Sequence, residues 1–176
     1  MNQIVKLGLL ATAMTTAGMG FFAEELAPPI PEACTVLSGT LDALGIEYGK
    51  VEATMDAITE GAYLFSVCDA YTADDILIMG ISINETRDTN ITVPSSASQL
   101  DAYVADIPAD WGETVPTNFG EASVFVPYSN QHTVYFRDGR ATLGVATIID
   151  ATDEELAQME AAAEYIATTY GLPDDG

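Results

Sequence analysis

The chain has 176 residues, 48% of them apolar, and sets 5 basic side chains against 27 acidic ones for a net charge of −22. An apolar fraction of that size belongs to a globular protein, because disordered chains combine high charge with few hydrophobic residues. So few Lys and Arg exclude nucleic acid as a partner and exclude attachment to anionic membranes through a basic patch.

Residues 1–23 (MNQIVKLGLLATAMTTAGMGFFA) hold one positive charge, Lys6, then an apolar stretch from Leu7 to Phe22, and no acid before Glu24. A short positive region, an apolar core and small residues near the exit are the marks of a secretory signal peptide. Gly18-Met19-Gly20 and Ala23 both offer small residues for cleavage. The alternative is an uncleaved anchor, but the stretch falls short of the roughly 20 apolar residues a spanning helix needs. Cys34 lies too far beyond Ala23 to accept a lipid at the cut. The expected product is periplasmic or secreted, with no membrane span after cleavage, and carries 4 basic and 27 acidic side chains. In that compartment Cys34 and Cys68, the only two cysteines, read as one disulfide, with a pair of buried free thiols as the alternative. Closing a loop of about 35 residues would contribute 3–4 kcal/mol on the chain-entropy model.

Residues 24–31 (EELAPPIP) form an acidic, Pro-rich leader that can neither be helical nor enter a central strand, and a flexible arm is expected. A single α+β domain is expected over 32–172, with a frayed tail at 173–176. From Pro31 to Gly45 the pattern is helical, with Cys34, Leu37, Leu41 and Leu44 on one face and Gly45 as the C-terminal cap. Strands are expected over Tyr48–Met55, Ala62–Tyr71 and Ile76–Ile83, followed by a polar loop from Asn84 to Pro94. Cys68 falls inside the second strand, so the disulfide would staple the first helix to the sheet. Ser96–Ile107 reads as a short amphipathic helix, and Pro108–Gly120 as an irregular stretch containing Trp111, the only tryptophan. Glu121–Tyr128 is a strand candidate. Thr133–Arg137 and Arg140–Ile149 flank an Asp138-Gly139 turn of the type I′ hairpin kind. Thr152-Asp-Glu-Glu155 is a capping box opening a helix to Tyr170, with Leu156, Met159, Ala163, Ile166 and Tyr170 on its buried face. Strands joined by turns rather than crossover helices predict an α+β fold, a mainly antiparallel sheet with helices packed on one face.

No motif names an activity. His132, the only histidine, could pair with Ser123 or Ser129, but there is no G-x-S-x-G elbow, and an exposed loop or strand-end position is expected. Zinc would need more His or Cys ligands than remain, so no metal site is assigned. Calcium is weighed because acids cluster at Asp69/Asp74/Asp75, Asp101/Asp106/Asp110 and Asp150/Asp153/Glu154/Glu155, yet none matches the D-x-[DN]-x-[DN]-G loop. Scattered acids describe a solvated surface better. Any two of 27 acids could be chosen as a glycosidase pair, so the choice carries no information. Phosphate-binding glycine loops are absent, and no cofactor is expected. Candidate binding residues come from the rare types: Arg137 and Arg140 beside the hairpin turn could hold an anion or be exposed turn-flanking charges. Trp111 and Phe119 could line a pocket or mark a partner surface, or else cap the sheet's core.

In order, Cys34-Thr-Val-Leu37 with Leu41 to Gly45, Cys68 in a later strand, Pro116–Phe125 (PTNFGEASVF), Arg137-Asp-Gly139 with Ala141–Ile148, and the final helix resemble a family of exported bacterial lipoproteins of unknown function. That family is related to the extracellular sensor domain of membrane serine/threonine kinases. The likeness runs from about Cys34 to Tyr170, and departs from the family in lacking a lipidated cysteine and an attached kinase domain. It implies a disulfide-stapled α+β module that binds something outside the membrane, and it brings no catalytic residues. The expected function is an exported non-catalytic binding or accessory domain acting on an unknown small molecule or envelope protein. The alternatives are a secreted hydrolase using carboxylates and His132, and an envelope interaction protein working through its acidic surface.

Overall fold

The computed structural model describes residues 28–60 and 63–171; the expected signal peptide, the start of the leader and the tail lie outside the described residues. Helix α1 (Ala33–Leu44) is followed by strands β1 (Lys50–Glu60), β2 (Tyr63–Tyr71) and β3 (Leu77–Thr86). Helix α2 (Ser96–Asp106), strands β4 (Val115–Thr117), β5 (Ala122–Val126), β6 (Gln131–Phe136) and β7 (Ala141–Ala146), and helix α3 (Asp153–Tyr170) follow among the described residues. The seven strands form one sheet in the order β1-β2-β3-β7-β6-β5-β4, antiparallel at every pairing. This is an α+β fold.

Period-two alternation decides which side chains meet the helices. Leu64, Cys68 and Ala70 of β2, Met79, Ile81 and Ile83 of β3, Leu143 and Val145 of β7, and Val134 and Phe136 of β6 are buried in one cluster. Val36, Leu37 and Leu41 of α1 and Met159, Ala163 and Ile166 of α3 belong to the same cluster. Cys34 and Cys68 form a disulfide with Cα atoms 5.1 Å apart, stapling α1 to β2. Helix α2 packs against β5 and β6, and its Tyr103 lies near Tyr135, whose pKa is raised first by burial and then by that neighbour.

The local signals read from the sequence hold at several termini. Gly45 caps α1 in the left-handed region at φ 68°. Thr152 and Glu155 form the reciprocal capping box of α3. Asp138 and Gly139 both have positive φ (54° and 78°), and the Arg140 N–H donates to the Arg137 carbonyl at 3.0 Å, the type I′ pattern. Other boundaries move. Strand β1 runs on to Glu60 rather than stopping at Met55, β3 extends through Thr86 into the expected loop, and the irregular stretch contains β4. Pro116 is tolerated in β4 because an edge strand leaves some N–H positions unpaired.

Two expectations are overturned by one buried ionic cluster. The inward series Met79, Ile81, Ile83 continues to Glu85, which places a carboxylate in the core at 4% exposure. One oxygen accepts from Arg137 Nη1 (2.5 Å) and the other from Arg87 Nε (2.6 Å), while the Ile30 N–H reaches both at 3.3 and 3.1 Å. Arg87 Nη2 also donates to the Ile30 carbonyl at 2.7 Å. The end of the leader is therefore docked rather than flexible: Ile30 is 1% exposed, its side chain in the core cluster and its backbone completing the coordination of Glu85. Arg137 is likewise buried rather than an exposed hairpin charge. Its φ of 58° breaks the strand alternation, and its Nε donates to the carbonyl of Tyr170 at 2.6 Å. Helix α3 has no basic residue in its own last turn; Arg137 supplies that cation from across the fold.

Removing one partner from such a cluster strands a buried charge and costs about 3–5 kcal/mol. Glu85→Leu and Arg137→Leu should each lower the free energy of urea unfolding by an amount in that range. The double variant should lose clearly less than the two singles combined.

Candidate functional site

The four candidate binding residues do not share one cleft. They divide between the two ends of β6, separated by about 20 Å of strand.

At the turn end of the β6–β7 hairpin, the arginines act on the chain itself. Arg137 is held by Glu85 and Tyr170, as above. Arg140 donates through Nη1 to the Asp88 carbonyl (2.9 Å) and through Nη2 to the Ile91 carbonyl (3.2 Å), which pins the 87–94 loop. The turn is also clasped to the start of α2. Gln99 Nε2 donates to the carbonyls of Gly139 (2.7 Å) and Pro94 (2.8 Å), and Glu121 accepts from the Asp138 N–H (2.8 Å) and the Ser96 hydroxyl (2.6 Å). The approach is so close that a Cβ on Gly139 would fall 2.2 Å from the Pro94 oxygen, so this position requires glycine on steric grounds as well as by its positive φ.

Phe119 and His132 lie toward the other end of β6. His132 is an interior residue of β6 and only 4% exposed, contrary to the exposed position expected. It falls on the same face as Val134 and Phe136, and alternation carries it inward with them. Phe119 meets it edge-on at 5.4 Å between ring centroids, and Phe125 lies at 4.9 Å. Nδ1 of His132 is buried without a hydrogen-bond partner, and burial lowers the pKa from 6.5 to about 4. No hydrogen bond joins it to either candidate serine. Ser123 accepts from the Thr117 hydroxyl (2.8 Å) and the Phe119 N–H (2.9 Å), while Ser129 donates to the Val126 carbonyl (3.5 Å).

At the same end of β6, Trp111 finds a partner in Tyr128, which the sequence pattern places at the end of a strand. Pro127 ends β5 and opens a 3-10 turn over Pro127–Ser129, which lifts Tyr128 out of the sheet. Asn130 closes that turn in the left-handed region at φ 43°. Its amide donates to the carbonyls of Ile148 (2.7 Å) and Ile149 (2.9 Å), and its own carbonyl accepts from the Thr147 N–H at 3.2 Å. Trp111 ends a second 3-10 turn, its N–H bonded to the Pro108 carbonyl at 3.0 Å. The two rings stack at 4.9 Å with an interplanar angle of 16°. Trp111 is partly exposed and Tyr128 is 55% exposed. Val115, which begins β4 opposite Phe125, and Ile149 are exposed at the same end. The signal for Tyr128 was Pro127, which cannot continue a paired strand and so turns the next residue outward.

Elsewhere, an open depression of about 660 Å³ lies beyond the C-terminal end of α1, lined by Leu41, Asp42, Gly45, Ile46, Glu47 and Tyr48. Among the described residues no three His, Cys, Asp or Glu side chains gather as a metal ion would require. No described helix is long and apolar enough to cross a membrane. In comparisons with known proteins, no family model, no curated protein and no solved structure matches the chain.

The imidazole gives a prediction with a definite sign. Its folded pKa lies below the unfolded value, so the unfolded chain binds more protons between about pH 6.5 and 4, and stability falls as pH drops through that window. This contribution should amount to about 3 kcal/mol and level off at lower pH. Urea unfolding of the native chain and of His132→Phe at several pH values should show that component vanishing in the variant.

Proposed function

We propose that this chain is an exported, non-catalytic binding or accessory domain of the periplasm or cell exterior, recognising a small molecule or an envelope protein. The observation that carries the reading is how the fold allocates its reactive side chains. Both sulfurs are joined, the imidazole is wedged between two phenylalanines, and all three described arginines hold carboxylate or carbonyl oxygens of the chain itself. The Trp111–Tyr128 pair, by contrast, stands at a surface rich in exposed acids. Aromatic pairs with apolar faces and a polar rim are a common means of holding a partner. The resemblance to exported lipoproteins and sensor domains points the same way, and the N-terminal segment with its disulfide partner residues supports export.

The hydrolase alternative asks His132 to exchange a proton with a substrate. A ring in the strand interior with no serine or carboxylate bonded to it is poorly placed for that role. No cofactor enters the proposed function.

Export is tested by expressing the full chain in a bacterium with a periplasm and measuring the intact mass from each compartment. The expected product begins near Glu24, lies outside the cytosol, and is lighter by two hydrogens than after reduction. Recovery of untrimmed chain in the cytosol with both thiols alkylatable would overturn the export reading. Catalytic turnover of any ligand, abolished by replacing one polar side chain, would overturn the non-catalytic one.

A further inference from the structure

The Trp111–Tyr128 pair stands outside the core cluster, and each ring sits on a hydrogen-bonded turn. One ring is carried by a turn closed onto Pro108, and the other by a turn whose Asn130 is bonded to the 147–149 segment. A surface pair fixed in advance loses little conformational freedom when a partner lies on it. The charged residues near it along the chain carry one sign. Asp110 precedes Trp111, Glu113 follows two residues later, Asp106 ends α2 and Asp150 follows Ile149; all four are exposed. Every basic side chain among the described residues is engaged. Arg87, Arg137 and Arg140 are bonded to Glu85 or to backbone carbonyls, and Lys50 is paired with Glu52 and Asp75 at 3.1 and 2.8 Å.

We propose that the Trp111–Tyr128 pair is the docking platform for a cationic polypeptide segment, an arginine of the partner lying over the exposed ring face. Guanidinium stacks on aromatic faces and is weakly enough hydrated to do so at a surface. Asp110 and Glu113 supply the counter-charge, and the exposed Val115 and Ile149 accept the apolar stem of an arginine or lysine side chain. A second copy of this chain is the wrong occupant, because two chains of net charge −22 repel. An acidic partner is excluded by the same field. The proposal rests on the reading of the chain as a binding domain and adds the chemistry of the partner.

Trp111 is the only tryptophan, so its fluorescence reports this platform directly. The full chain is titrated with hexaarginine at low salt and again near physiological ionic strength. The expected result is a saturable change in Trp111 emission that weakens with salt, with hexalysine binding less tightly than hexaarginine. Tyr128→Ala should weaken hexaarginine binding by about fivefold, in keeping with loss of one exposed cation–π contact. Asp110→Asn with Glu113→Gln should weaken it by about threefold, as expected for two surface charges. The control Glu160→Gln with Glu164→Gln, exposed acids on α3, should leave it unchanged. Thermal melting checks each fold, and if Tyr128→Ala melts early the charge variant decides. Equal affinity across all variants would mean diffuse polyelectrolyte binding and would overturn the proposal. An emission response to a neutral oligosaccharide but not to hexaarginine would overturn it too, leaving the binding-domain reading in place. Hydrolysis of the peptide would overturn that wider reading.

Discussion

A carboxylate in the core has to be matched, and Ile30 and the end of α3 are arranged around the matching of Glu85. Strand alternation alone drives Glu85 inward behind Met79, Ile81 and Ile83. Leaving it unpaired there would cost several kcal/mol, more than most single contacts return. Arg137 and Arg87 supply the charge, and the Ile30 amide supplies the remaining hydrogen bonds. Each partner then fixes something else: Arg87 holds the Ile30 carbonyl and Arg137 holds the last carbonyl of α3. One side chain thus connects the leader, a central strand, the hairpin and the C-terminal helix, segments far apart in sequence. The disulfide performs a complementary task on the same face of the sheet, joining α1 to β2.

This allocation shapes the surface. A protein with so few cations uses the described arginines internally, so the exterior field is left to the acids. Such a field keeps copies apart and steers cationic partners inward, but it is spread over many positions and specifies no single contact. Directional recognition needs a feature that is local and rigid. The stacked Trp111 and Tyr128 have both properties, since each sits on a short turn closed by its own backbone hydrogen bond.

Much of the fold was legible because its signals are local. The Asp138-Gly139 turn, the Thr152–Glu155 capping box and the Gly45 cap each depend on a few adjacent residues whose backbone chemistry has one good solution. The heptad-like spacing of α1 and α3 and the alternation in β2 and β3 were equally plain. The misreadings share another origin. His132 looked exposed because its neighbours Ser129, Asn130 and Gln131 are polar, yet register with Phe125 and Val145 carries it inward. The leader looked flexible because proline bars it from regular structure, whereas its anchoring comes from a side chain 55 residues away.

Charge balance, the three helices, the antiparallel character of the sheet and the candidacy of two cysteines for a bridge were determined by sequence alone, because composition and short-range periodicity govern them. Only the tertiary structure decided that Arg137 and Arg140 serve the fold, that Phe119 packs on a histidine, and that Trp111 pairs with Tyr128. Those outcomes depend on which distant strands become neighbours, and burial energies accrue to whole faces rather than to single positions. No local pattern in the chain records them.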